Sequence, residues 1–225
     1  MIPWEHLDTA SMPGGGGDLH LKRRGAEYSI LAGSEELMNS RLFGSEEALA
    51  TLAWDRIKPR PSPAILIGGL GMGFTLRAAL AALPSDARIT VAELVPAVIT
   101  WARGPLAGLV AGSLEDPRVT IRTGDVSGVI SAARAAYDAI LLDVDNGPQG
   151  HTRRENDRLY SRAGLDQAKA ALTPAGVLAV WSSGPDARFT ERLAASGFSV
   201  EEVRVRATRS GRGARHTIWL AIPNV

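Results

Sequence analysis

From Ala64 onward, short apolar strand segments alternate with helical ones, and this alternation constrains the fold more than any other feature. Ala64-Ile65-Leu66-Ile67 is a continuous apolar run, followed by a glycine-rich loop and a helix from Phe74 to Leu83. The same unit recurs. Strands are expected at Arg88–Ala92, Val119–Ile121, Ala139–Leu142 and Gly176–Trp181, with helices at Ala97–Arg103, Val129–Ala136, Ala163–Leu172 and Phe189–Ser196. Strands that alternate with helices form a mainly parallel sheet covered on both faces. Two closing strands, Ser199–Arg206 and Thr217–Ile222, are joined by an Arg/Gly/Ser loop without helical pattern, which predicts an antiparallel hairpin at the sheet edge. The expected fold is α/β: a Rossmann-like, doubly wound, mostly parallel seven-stranded sheet with an antiparallel C-terminal edge hairpin.

A smaller unit precedes it. Residues 1–18 carry Pro3, Pro13 and four successive glycines from Gly14 to Gly17, which reads as a lead-in without periodicity. Leu19–Lys22 and Tyr28–Leu31 alternate apolar and polar around Arg24-Gly25, a β-hairpin pattern. Ser45-Glu46-Glu47 starts a helix, ended near Lys58-Pro59. The expected division is 1–58 for the lead-in, hairpin and helix, and 59–225 for the main domain.

Composition excludes several classes. The chain has no cysteine, so disulfides, thiolate metal sites and a thiol nucleophile are absent. Its 25 basic and 24 acidic residues leave a net charge of +1, unlike the strong positive excess of a nucleic-acid binder. No apolar run is long enough to cross a bilayer, and the N-terminus lacks the basic start and apolar core of a signal peptide. A cytoplasmic location, with no membrane or nucleic-acid partner, is the expectation. The histidines and carboxylates show no metal-ligand spacing, so no metal is expected.

In an open parallel sheet, ligands bind at the carboxyl ends of the strands. Gly68-Gly69-Leu70-Gly71-Met72-Gly73 follows the first strand, where glycines let backbone N–H groups approach a ligand at a helix start. The spacing differs from the G-x-G-x-x-G of a nicotinamide site. After the second strand come Glu93 and Leu94, an acid suited to two adjacent ribose hydroxyls. Gly124-Asp125-Val126 follows the third, where a carboxylate can receive an exocyclic amine. The fourth is followed by Asp143-Val144-Asp145-Asn146. Glycines and acids at four successive strand ends specify a pocket for an uncharged-to-cationic nucleoside.

This constellation resembles class I S-adenosylmethionine-binding proteins, and in particular their spermidine-synthase-like branch. The specific marks are Ile65 to Gly73, Glu93, Asp116-Pro117-Arg118-Val119 leading to Gly124-Asp125, and Tyr137-Asp138-Ala139-Ile140-Leu141-Leu142-Asp143. The resemblance implies that Gly68, Gly69, Gly71, Gly73, Glu93, Leu94, Asp125, Val126 and Asp143 bind the cofactor. Glu93 would hold ribose, Asp125 the adenine edge, and Asp143 would face an acceptor amine with Asp145 adding field. A homodimer is also implied. The chain departs from the aminopropyltransferases at Gly71, where they carry an aspartate that binds the donor's free amine. Asp145 and Asn146 replace part of their acidic loop, and Glu36 is taken as the position of a family glutamine.

A lost charge-assisted hydrogen bond is worth on the order of 1.5–3 kcal/mol. Gly71 therefore favours intact S-adenosylmethionine and methyl transfer to a small, amine-bearing acceptor. Aminopropyl transfer from decarboxylated S-adenosylmethionine is the alternative, and a non-catalytic nucleoside-binding module the third reading. Asp143 and Asp145 are the catalytic candidates; Glu36, Asn146 and Tyr160 are candidates for the acceptor. His151 and Arg204–Arg215 are read as surface, and Trp181 as core.

Overall fold

The computed structural model describes residues 2–57, 59–144, 147–148, 156–208 and 213–224. Four antiparallel strands open the chain in the order β1 (Glu5–Ser11), β2 (Asp18–Arg24), β3 (Glu27–Ala32) and β4 (Glu35–Asn39). Helix α1 (Gly44–Ile57) leads to β5 (Ala64–Gly68), α2 (Phe74–Ala82), β6 (Arg88–Glu93) and α3 (Pro96–Arg103). A short α4 (Ala107–Val110), β7 (Val119–Thr123), α5 (Val126–Ser131) and β8 (Tyr137–Leu142) follow. The chain continues through α6 (Asn156–Leu159), α7 (Arg162–Ala171), β9 (Leu172–Ser182), α8 (Ala187–Ala195), β10 (Phe198–Arg206) and β11 (Arg215–Pro223).

The main sheet has seven strands in the order β10-β11-β9-β8-β5-β6-β7. Strands β5 to β9 are parallel, and β11 pairs antiparallel with both β9 and β10. The mostly parallel sheet and its antiparallel edge hairpin are those expected. Chain order reverses at β5, which lies between β6 and β8, so the topology opens a crevice at the carboxyl ends of β5 and β8.

Side-chain alternation along these strands builds two cores. Ile65, Ile67, Leu141, Ala179 and Ile218 face one side, where they pack with α1, α2, α3 and the N-terminal sheet. Leu66, Ile140, Leu178, Val180 and Trp219 face the other and meet α5, α7 and α8. All five residues of β5 are buried, as befits a central strand covered on both faces.

Two marks of the sequence resemblance are structural ties. Asp138 accepts from the Ala64 backbone N–H at 2.9 Å and from Thr173 Oγ1 at 2.7 Å, and Arg60 donates to it as well. It thereby joins the starts of β5, β8 and β9. Arg118 donates to both Asp116 oxygens and to the carbonyls of Leu83 and Pro84, clamping the entry to β7 against the end of α2.

Three expectations need correction. The lead-in contains β1 and a 3-10 turn at Pro13–Gly15, and β4 extends the expected hairpin to a four-stranded sheet. Strand β1 is mostly exposed, so it lacks the apolar alternation that reveals a strand; cross-strand pairing with β2 holds it instead. The helix expected at Val129–Ala136 is α5, which begins three residues earlier because the Asp125 side chain accepts from the Ser127 backbone N–H at 2.8 Å.

Candidate active site

The crevice at the switch point is roofed by the N-terminal sheet and opens to solvent at its mouth. Its walls come from the ends of β5, β6, β7 and β8, the start of α1, and Trp181 on β9.

The glycine loop is shaped by close approach. A side chain on Gly69, at φ +89°, would begin 2.3 Å from the Asp143 backbone carbonyl. Only glycine allows the loop to lie against β8 in this way. Gly71, at φ +52°, faces Met38 of β4, whose Sδ stands 3.0 Å from where a side chain would begin. Gly73 occupies the N-cap of α2 in a left-handed conformation.

Glu93 ends β6 inside the crevice wall and is buried. It accepts from the backbone N–H groups of Leu70 and Val95, both at 2.8 Å, so it braces the glycine loop against the β6–α3 turn. Burial raises its pKa, and these backbone donors oppose that rise. Leu94, Gly124, Asp125 and Val126 line the same wall. One Asp125 oxygen caps α5 as described above.

Asp143 follows β8 and opens onto the crevice, with protein on its other sides. Its backbone N–H donates to the Gly68 carbonyl at 3.0 Å, and Thr75 Oγ1 donates to Oδ2 at 2.6 Å. Burial lifts its pKa to about 6 against the Thr75 hydrogen bond. A second acid, Glu46 of α1, lines the crevice too. Burial and the charge of Asp143 push its pKa up to about 8, although Ser45 Oγ donates to it at 2.7 Å. The two carboxylates titrate as a pair, since ionising one opposes ionising the other. Ser45 Oγ also lies 2.7 Å from Nδ1 of His216 on β11, whose ring meets Trp181 edge to face.

Glu46, Ser45, His216, Met38 and Thr75 were not singled out by sequence. Glu46 carries a usable signal: it lies four residues before Ala50 and seven before Ala53, on the buried stripe of α1. An acid on the inward face of an amphipathic helix is costly without a use. Trp181, read as core, is buried and also lines the crevice; its Nε1 has no hydrogen-bond partner among the described residues.

Two acceptor candidates are displaced. Glu36 is exposed and does not line the crevice; its carboxylate accepts from Ser29 Oγ at 2.6 Å and from Asn39 Nδ2 at 3.1 Å. The β3–β4 pairing shifts register at this point, and Leu37 and Met38 take the inward positions instead. Tyr160 is buried on the opposite face of the sheet, edge-on to Phe189 at 5.5 Å, because it follows α6 into α7 on that face. Asp145, Asn146 and His151 lie outside the described residues. Among the described residues, no group of three or more His, Cys, Asp or Glu could hold a metal ion, and no helix is long and apolar enough to cross a membrane.

Solved spermidine synthases share this fold. One in complex with the transition-state analogue AdoDATO matches with a TM-score of 0.76 at 18% identity, covering 98% of this chain and 73% of that one. In sequence, putrescine N-methyltransferase 1 of Nicotiana tabacum is 36% identical over 121 residues, 53% of this chain and 30% of that enzyme. Polyamine aminopropyltransferase 1 of Streptomyces coelicolor is 33% identical over 127 residues, 56% of this chain and 23% of that one. The chain thus matches less than a third of the length of either relative. The spermine/spermidine synthase domain model matches residues 42–189, from the approach to α1 into α8, and so takes in every acid and glycine of the crevice wall. With most of its length inside that match, the chain belongs to the spermine/spermidine synthase domain family.

Proposed function

We propose that this protein transfers a methyl group from S-adenosylmethionine to a small amine. The observation that carries the reading is the meeting of Gly71 with Met38 Sδ, 3.0 Å from where a side chain at position 71 would start. An aspartate there would favour a donor that ends in a free ammonium. A thioether against a bare glycine puts no negative charge in the way of a methionine carboxylate. The names of the tobacco relatives, putrescine N-methyltransferases, support the same reading.

The residues present fit the donor. Leu94 and Val126 offer apolar wall, and Glu93 and Asp125 offer the acids. In this reading Glu93 holds the ribose and Asp125 the adenine edge, beside Gly68, Gly69, Gly71 and Gly73. When bound, the donor supplies a methyl group on a sulfonium, a leaving group that needs no acid. The protein's task is to orient the amine, strip its proton and exclude water. Asp143, with a pKa raised toward neutrality, is suited to take that proton. Base assistance of this kind contributes about 10²–10⁴-fold. Glu46, facing the same space, keeps its proton up to about pH 8 and offers the amine a hydrogen-bonding oxygen rather than a charge. Asp145, next along the β8 loop, is assigned a supporting field.

Aminopropyl transfer is the second reading, favoured by the aminopropyltransferase relatives. Calorimetric titration with both donors separates the two. The expected result is tighter binding of S-adenosylmethionine, with a mass gain of one methyl on putrescine used as the probe amine. Tighter binding of the decarboxylated donor would reverse the order, and binding of neither would overturn the transferase assignment.

A further inference from the structure

Methylation of an amine that arrives protonated releases one proton per turnover. The ammonium and the sulfonium donor go in; a methylated ammonium, a neutral thioether and H⁺ come out. If Asp143 takes that proton while donor and amine fill the crevice, the proton needs a way to leave before the next cycle. A continuous row of hydrogen-bonding groups runs from the crevice to the outer part of the sheet. Glu46 Oε2 lies 2.7 Å from Ser45 Oγ, and Ser45 Oγ lies 2.7 Å from His216 Nδ1. Ser45 is buried, whereas His216 is half-buried near the start of β11, next to exposed Arg215. We infer that Glu46, Ser45 and His216 form a proton relay that carries the proton displaced at Asp143 out of the crevice to solvent. The inference rests on the proposed methyl-transfer reading for its purpose, but not for its geometry.

The relay has two hydrogen-bonding states. Ser45 owns one hydroxyl proton, and both its neighbours lie within bonding distance of one oxygen. With Glu46 protonated, Glu46 donates to Ser45 and Ser45 donates to the bare Nδ1 of His216. With Glu46 ionised, Ser45 donates to the carboxylate and accepts from Nδ1–H of His216. Passing from the first state to the second moves one proton from Glu46 to the hydroxyl and another from the hydroxyl to the ring. The ring then releases its Nε2 proton to water. Atoms and charge balance over a cycle: Glu46 loses one proton and is refilled by the one Asp143 took, Ser45 keeps one, water gains one at Nε2, and return of the ring proton from Nδ1 to Nε2 resets the row.

The surroundings suit such a shuttle. Burial lowers the pKa of His216, so the ring is neutral and keeps one bare nitrogen, while Glu46 holds its proton to about pH 8. From α1, Glu46 reaches the ring through Ser45; Glu47 pairs with Arg77 and Arg56 with Glu201 of β10. Strand β9 presents the edge of Trp181, and Val205 of β10 pairs across from His216. Among these groups the only acid in the hydrogen-bonded row is Glu46. Asp143, beyond Glu46 in the crevice, bears on the pair by charge.

The test needs neither donor nor acceptor. In the full-length protein with ¹⁵N-labelled histidine, the ring shifts of His216 are followed from pH 6 to 9.5. The expected result is an Nε2–H tautomer at low pH that changes to Nδ1–H as Glu46 ionises. Glu46→Gln should hold the first tautomer throughout, and Ser45→Ala should abolish the response while the other histidines titrate as before. A His216 tautomer that never changes, or that still changes in Glu46→Gln, overturns the relay. In the loaded enzyme with putrescine as probe, His216→Gln should lower kcat at least tenfold with donor affinity unchanged, partly restored by added imidazole. An unaltered kcat in that variant overturns the relay's use in turnover. Failure of both donors to bind would sink the transferase reading alone, since the tautomer measurement stands without them.

Discussion

At the scale of single residues, the crevice separates chemistry from donor choice. In the proposed reaction Asp143 strips the amine of its proton, so Asp143→Asn is expected to abolish turnover while donor affinity by calorimetry stays within a few-fold. In the same proposal, donor choice turns on position 71. Gly71→Asp alone meets Met38 Sδ, 3.0 Å from its first side-chain atom. Combined with Met38→Ala, it should shift the ratio of donor affinities toward the decarboxylated form by about ten- to a hundredfold, the worth of one charge-assisted hydrogen bond. Glu46 makes a prediction about stability. Its folded-state pKa, about 8, lies above the ordinary 4.5, so the folded protein holds its proton longer than the unfolded chain. Stability is therefore lost as pH rises from about 4.5 to 8. Glu46→Gln removes this penalty, and urea unfolding should show it gaining on the wild type by several kcal/mol between pH 4.5 and pH 8.5. Asp143 was legible in the sequence because it ends an apolar strand. Glu46 was passed over despite its place on the buried stripe of α1, because an acid in the first turn of a helix is also what favours a helix start.

At the scale of elements, the same side chain often serves the helix and the ligand. Asp125 caps α5 through Ser127 N–H at 2.8 Å and also lines the crevice. Asparagine caps as well as aspartate, so Asp125→Asn should leave thermal stability unchanged and weaken donor binding. Asp125→Ala should lose about 1 kcal/mol of stability in addition. The strands of the main sheet were readable because a central parallel strand is apolar on both faces, as Ala64–Gly68 is. Strand β1 was hidden for the opposite reason: its side chains are mostly exposed and its backbone pairing leaves no mark in residue types. The start of α5 was misplaced because capping by Asp125 outweighed the apolar spacing further along. Glu36 and Tyr160 were misplaced by one register shift and by one crossing to the other face of the sheet.

At the scale of the whole molecule, the N-terminal sheet completes the crevice. Met12, Leu19, Ile30, Leu37 and Met38 line it opposite the glycine loop. One tie holds β1 to the main domain: Trp101 Nε1 of α3 donates to Asp8 Oδ2 at 2.6 Å, which also draws the Asp8 pKa down. Trp101 is itself buried in the core shared by both parts. Trp101→Phe, which keeps most of that packing, should cost about 1–2 kcal/mol and speed hydrogen exchange in β1 more than in β5.

Residue order alone determined the alternation of strands and helices, and hence the parallel sheet and the acids and glycines that follow its strands. Those features are local, because burial on both faces and tight turns restrict which residue types can stand at each step. Only the tertiary structure decided which side chains meet across the chain. Glu46 faces the same space as Asp143, Ser45 touches a histidine 171 positions away, and Met38 fills the hollow beside Gly71. Such meetings depend on how α1 and the N-terminal sheet dock onto the main domain, and docking is set by shape and burial summed over many residues, which no short stretch of sequence encodes.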